Sequence, residues 1–162
     1  MTTNVESRLT EHQIELPQPT SSVANYVPFV LSGNTLYISG QITVWNGDLR
    51  YQGKLGKDVS IDEGYQAARL CGLNLLAQLK SACGGDLDRV VRVIKLGGFV
   101  NCSPDFTDHP AVINGASDLM LDVFGDTGRH ARFAVGASSL PLGVAVEIDG
   151  TFEINRGDLP LE

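Results

Sequence analysis

Basic residues are scarce in this chain. Twelve Lys and Arg stand against nineteen Asp and Glu, a formal charge of −7. That balance argues against a general binder of phosphate backbones, which needs a basic face, and nucleic acid is not an expected partner. Histidine and cysteine are as sparse, three of each. His12, His109 and His130 lie far apart, and neither H-E-x-x-H nor C-x-x-C occurs, so no metal site is expected. Cys71, Cys83 and Cys102 form an odd, unpatterned set that reads as buried apolar thiols rather than a disulfide framework. No run reaches 18 apolar residues, and no charged start leads into an apolar stretch. Neither a membrane span nor a secretory leader is therefore expected, and a cytoplasmic location follows by default. Gly53-Lys54-Leu55-Gly56-Lys57 lacks the spacing of a phosphate loop, and there is no G-x-S-x-G elbow.

What is present is one domain's worth of chain. With 162 residues, 43% of them hydrophobic, it can close a core without staples. An N-terminal extension, 1–24, contains a short amphipathic helix between Thr3 and Ile14, with Val5, Leu9 and Ile14 on one side. It gives way to the extended Leu16-Pro17-Gln18-Pro19. The main domain is expected over 25–154, and the tail 155–162 is expected to fray. Within the domain, Asn25–Leu31 and Thr35–Val44 read as a hairpin about Ser32-Gly33-Asn34. Asn46-Gly47-Asp48 is a turn, and Tyr51 to Asp58 a polar loop. Ser60-x-x-Glu63 is a capping box that opens a helix running to about Cys83. Ala68, Gly72, Leu75, Leu76, Leu79 and Cys83 form its buried stripe, and Gly84-Gly85 stops it. Val90 to Phe99 is near-continuously apolar, as suits an interior strand. Pro110 starts a second helix that ends at Gly125, with Val112, Ile113, Ala116, Met120, Val123 and Phe124 on its buried side.

The order β-β-α-β-α-β-β gives an α+β fold: a mostly antiparallel sheet with two helices on one face.

The last two strands carry the chemistry. Ala131, Phe133, Val135 and Ala137 make one apolar phase, and Val144, Val146, Ile148, Phe152 and Ile154 another, joined by the turn Leu140-Pro141-Leu142-Gly143. Read as an antiparallel hairpin, the two apolar phases share a face only if Arg132 and Glu147 share the opposite one. That face also holds Ala134, Gly136 and Asp149. Two readings stay open: a cross-strand salt bridge on a solvated face, or an anion site in which the Arg fork meets a carboxylate while the Glu holds a water. A strand face of this composition is poorly suited to water, and an oligomer that covers it is the simplest answer.

The run Ala131-Arg132-Phe133-x-Val135-x-x-Ser138-x-Leu140, then Val146-Glu147-Ile148, resembles the C-terminal signature of the YjgF/RidA family. These are reactive-intermediate (enamine/imine) deaminases, also named L-PSP endoribonucleases. The front piece resembles the family's longer-chain branch. Ser39-Gly40-Gln41 is similar to its SGQ element, Tyr26 falls where members place a Tyr, and Asn114 falls where an Asn lines the ligand cleft. Two positions depart from the pattern: His130, often Pro or Ala, and Ala134, where deaminases carry a Cys.

The resemblance covers roughly Asn25 to Phe152 and implies a chorismate-mutase-like homotrimer with clefts between subunits and no cofactor. It implies that Arg132 clamps the carboxylate of a 2-imino acid such as 2-aminoacrylate, and that Glu147 positions the attacking water. Asn114, Tyr26, Ser39 and Gly40 would line the site. Two further readings stand beside it. One is a non-catalytic trimer that binds small carboxylates, which Ala134 and the extended N-terminus permit. The other is an endoribonuclease or translation inhibitor, against which the acidic charge and the missing aromatic-basic stripe both count.

Overall fold

The structure is a computed structural model that describes residues 4–22 and 24–160. Its centre is helix α2, Ile61–Ala82. The Ser60 side chain accepts from the Glu63 backbone N–H while the Glu63 carboxylate accepts from Ser60 N–H, so the capping box forms as the spacing requires. The stripe from Ala68 to Cys83 is buried without exception. Helix α3, His109–Phe124, carries Pro110 in its first turn and stops where Gly125 takes φ +61°.

Both helices pack on one face of a five-stranded sheet. Its strands are β1 (Phe29–Ser32), β2 (Thr35–Gln41), β5 (Val90–Asn101), β6 (Ala131–Ala137) and β7 (Val146–Ile154), in the order β1-β2-β7-β5-β6. A separate two-stranded hairpin, β3 (Val44–Trp45) and β4 (Asp48–Leu49), forms about the Asn46-Gly47 turn. Asn74 of α2 ties that hairpin down, its amide donating to Val44 O at 2.7 Å. The core lies between sheet and helices, with Leu36, Leu96, Ile148 and Phe152 from the strands meeting Leu75, Leu76, Ile113 and Leu119.

This topology corrects the expected C-terminal hairpin. β6 and β7 are not neighbours; β5 lies between them. β6 runs parallel to β5, with Arg132 beside Leu96, and β7 runs antiparallel to β5, with Glu147 beside Phe99. Parallel neighbours need a long crossover, and α3 supplies it, making β5-α3-β6 one unit. The parity rule for a hairpin therefore does not apply, and its conclusion fails. Partners across a ladder share a face, so Arg132 follows the buried Leu96 to the helix side. Glu147 follows the exposed Phe99 to the free side. The set Phe133 and Val135, expected to face the core, is on the free side as well.

Of the two terminal pieces, the N-terminal helix forms as expected and the tail does not. Helix α1 (Val5–Glu11) buries Val5 and Leu9 in the common core, and Arg8 donates to Asp122 O of α3 at 3.3 Å. The tail does not fray over 155–160: Arg89 donates to Arg156 O at 3.1 Å and to Asp158 Oδ1 at 2.9 Å, and Leu159 packs on the core. Among the described residues no helix is long and apolar enough to cross a membrane.

Candidate functional site

The residues singled out from the sequence fall into two groups on opposite sides of the sheet. The first group gathers about Glu147. Strand β2 breaks register between Ile38 and Gln41, leaving Ser39 and Gly40 in a bulge beside β7. A Cβ on Gly40 would lie 2.5 Å from Glu147 Oε1, so the missing side chain is what lets the carboxylate lie there. Ser39 is held by the segment before β1, its hydroxyl donating to Val27 O at 2.8 Å and its N–H to Pro28 O at 2.9 Å. Tyr26, next along that segment, is exposed and has no hydrogen bond to the described residues.

Burial pushes the Glu147 carboxyl above its ordinary pKa, and the nearby Asp149 charge pushes it further in the same direction. No cation pairs with Glu147 among the described residues.

The second group gathers about Arg132, on the helix side of the edge strand β6. Its Nη1 donates to Ser117 Oγ at 3.0 Å and its Nη2 to Pro110 O at 3.3 Å. Pro110, Asn114 and Ser117 are spaced i, i+4, i+7 on α3, so Asn114 sits between the two anchors on the same exposed stripe. Arg132 makes no ion pair with a described residue. The salt-bridge reading therefore fails within one chain, because the sheet separates guanidinium from carboxylate. What remains is an anchored guanidinium with donors left over, a ready partner for a planar anion.

Ser117 was not singled out in the sequence, although its spacing from Asn114 put it on the same stripe. His130, noted in the sequence as a departure from the family pattern, borders this group: its Nε2 lies 2.9 Å from Ser117 Oγ.

The free face itself is unusual for a surface exposed to water. Val30, Tyr37, Phe99, Phe133 and Val135 cross it, each between 36% and 53% exposed. The rings of Phe99 and Phe133 meet edge to face at 5.4 Å, and Lys95 Nζ lies 5.5 Å from the Phe133 centroid. Glu147, Asp149 and Glu153 run down the middle on β7. Among the described residues no group of three metal-ligating side chains comes together.

Fold and face define a class: α+β proteins with a helix-backed sheet whose other side is open and partly apolar. Within that class the chain belongs to the YjgF family. The family described as "YjgF/chorismate mutase-like, putative endoribonuclease" matches residues 6–148, which takes in most of α1 and the sheet as far as the start of β7. The chain is 47% identical over 153 residues to Protein TCP17 of Trypanosoma cruzi, covering 94% of this chain and 95% of that one. Among solved structures it is similar to Atu1372 of Agrobacterium tumefaciens, a protein of unknown function, at 49% identity and TM-score 0.87, covering 93% and 92% of the two chains. It is also similar to a "putative endoribonuclease" of Shewanella oneidensis, at 39% identity and TM-score 0.90, covering 94% of this chain and 100% of that one.

Proposed function

We propose that the chain is a cytoplasmic deaminase of short 2-imino and 2-enamino acids, working as a homotrimer whose sites lie between subunits. One observation carries this reading. A guanidinium and a carboxylate, each without an ionic partner among the described residues, sit on opposite sides of one sheet. A ligand that touches both needs the Arg132 side of one subunit and the Glu147 side of another. The apolar free face gives the subunits a reason to associate. Three unpaired thiols suit a reducing compartment.

The chemistry follows from the two groups. Arg132 holds the substrate carboxylate by two parallel N–H···O bonds, with Asn114 beside it. Glu147, its pKa lifted toward the working pH, orients a water and takes its proton as the oxygen attacks C2 of the imine. The carbinolamine then collapses, the proton returns to the leaving nitrogen, and a 2-keto acid and ammonia depart. An imine is already electrophilic, so orientation and one base are sufficient help, and no cofactor takes part. Tyr26, Ser39 and Gly40 close the Glu147 side.

RNA cleavage, which the relatives' names suggest, is disfavoured by the row of carboxylates on the free face and by the net charge of −7.

The test is subunit complementation. Arg132→Ala and Glu147→Gln proteins, each nearly inactive on 2-aminoacrylate generated in situ, are unfolded, mixed in equal amounts and refolded. Random assembly restores both native groups to roughly a quarter of shared sites, and ammonia release recovers in proportion. No recovery would overturn the shared site. A parent protein that binds pyruvate or benzoate but releases no ammonia above buffer would replace the enzyme with a carboxylate-binding trimer.

A further inference from the structure

A chain of hydrogen bonds leads from the Arg132 guanidinium away from the ligand side, and with a neutral His130 imidazole every joint pairs a donor with an acceptor. His130 Nδ1 lies 2.6 Å from Gly128 O, a carbonyl that only accepts, so Nδ1 carries the hydrogen. In a neutral imidazole Nε2 is then bare, and it lies 2.9 Å from Ser117 Oγ. Serine has one hydrogen to give, and it goes to Nε2. The same oxygen accepts from Arg132 Nη1 at 3.0 Å, while Nη2 is held by Pro110 O at 3.3 Å. Each donor meets an acceptor from Gly128 to the guanidinium.

We propose that Ser117 and His130 are positioning residues for the carboxylate clamp, a role that rests on reading Arg132 as an anion site. A guanidinium has five N–H donors, and two are spent on α3, one from each terminal nitrogen. Three remain for a ligand, on a fork that can no longer swing. An arginine held in place before its ligand arrives loses less freedom on binding than one that must be caught. His130 acts one step further back. Without it the Ser117 hydroxyl is free to rotate and to compete as a donor where Arg132 needs an acceptor. Because the serine oxygen already accepts from a cation, its electron density is drawn off, and the arrangement suits holding rather than nucleophilic attack.

A plain structural strut between β6 and α3 would use the same bonds, so the experiment must read Arg132 itself. Full-length protein carrying 15N-arginine gives side-chain Nε–Hε and Nη–Hη signals, and Arg132 is assigned by loss of its peaks in Arg132→Lys. Calorimetry with benzoate reads the clamp. Ser117→Ala should weaken benzoate roughly 2- to 10-fold and average the Arg132 Nη signals. Ser117→Thr, which keeps the hydroxyl, should restore both. His130→Leu should behave like Ser117→Ala, whereas His130→Gln, whose amide oxygen can accept from Ser117, should stay near the parent. The double variant should be no worse than either single one, since both break one chain. If Ser117→Ala and His130→Leu shift only the thermal midpoint, leaving benzoate affinity and the Arg132 signals as in the parent, the proposal is overturned. If the parent binds no benzoate, it is the anion reading of Arg132 that fails. The Arg132 signals in Ser117→Ala then decide the positioning role: averaging supports it, and unchanged signals overturn it.

Discussion

Glu147 holds a charge where the surroundings disfavour one. Its carboxyl is raised above the ordinary glutamate value of 4.5, by burial first and by Asp149 second. A raised folded-state pKa means that the folded chain prefers the protonated acid. Its contribution to stability is complete below pH 4.5 and is lost as pH rises through the higher folded value. Glu147→Gln should accordingly raise the thermal midpoint at pH 7 and lose that advantage as pH falls below 4.5, a comparison that calorimetry at several pH values makes directly. The same substitution keeps the side chain's shape but removes its basicity, so deamination should fall by about 10²–10⁴-fold while carboxylate binding through Arg132 persists. A variant that gains stability and keeps the parent rate would show that the strained carboxylate has no part in catalysis.

Two close approaches set how the elements carry these residues. At the β2 bulge, a Cβ on Gly40 would touch only the tip of the Glu147 side chain, which can swing aside. Gly40→Ala should therefore keep its melting temperature within a few degrees while turnover drops at least tenfold, because the carboxylate is pushed off its water. Between α2 and α3 the neighbour is backbone. A Cβ on Gly115 would fall on the Tyr65 carbonyl and close to Arg69 N–H, neither of which can rotate away. Gly115→Ala should force the helices apart and cost about 1–3 kcal/mol in denaturant unfolding. Because Asn114 and Ser117 flank that contact on α3, ligand affinity should fall with it. A Gly115→Ala protein of parental stability would mean that the helix pair tolerates more separation than its packing implies.

For the molecule as a whole, the proposed assembly rests on the free face. Five large apolar side chains across one side of a sheet make a patch that isolated proteins seldom leave to water. Sedimentation at micromolar concentration should find a species of three times the 17.4 kDa chain mass, and Phe133→Glu, on the edge-strand side of the patch, should shift it toward monomer. Deamination should fall in the same titration, since neither side of the sheet holds both groups. A monomeric parent that is fully active would contradict the shared site and the assembly together.

Local sequence determined the local structure. The capping box at Ser60 and Glu63, the buried stripe from Ala68 to Cys83, the proline-led α3 and its stop at Gly125 all follow from residues within a few positions of one another, and each forms as read. So does the alternation along β7, since a strand's period depends on its own pleat. Strand order was decided only in three dimensions. Two apolar phases joined by a short turn fit a hairpin, yet α3 brings β6 back parallel to β5, on the far side from β7. That choice turned Arg132 to the helices and left Glu147 on the open face. The alternation in Phe133 and Val135 reported only that one side of β6 is apolar, and that side lies on the free face rather than in the core where it was expected. It could not report whether the cover for that side is the chain's own core or another subunit, because hydrophobic burial has no preference between them.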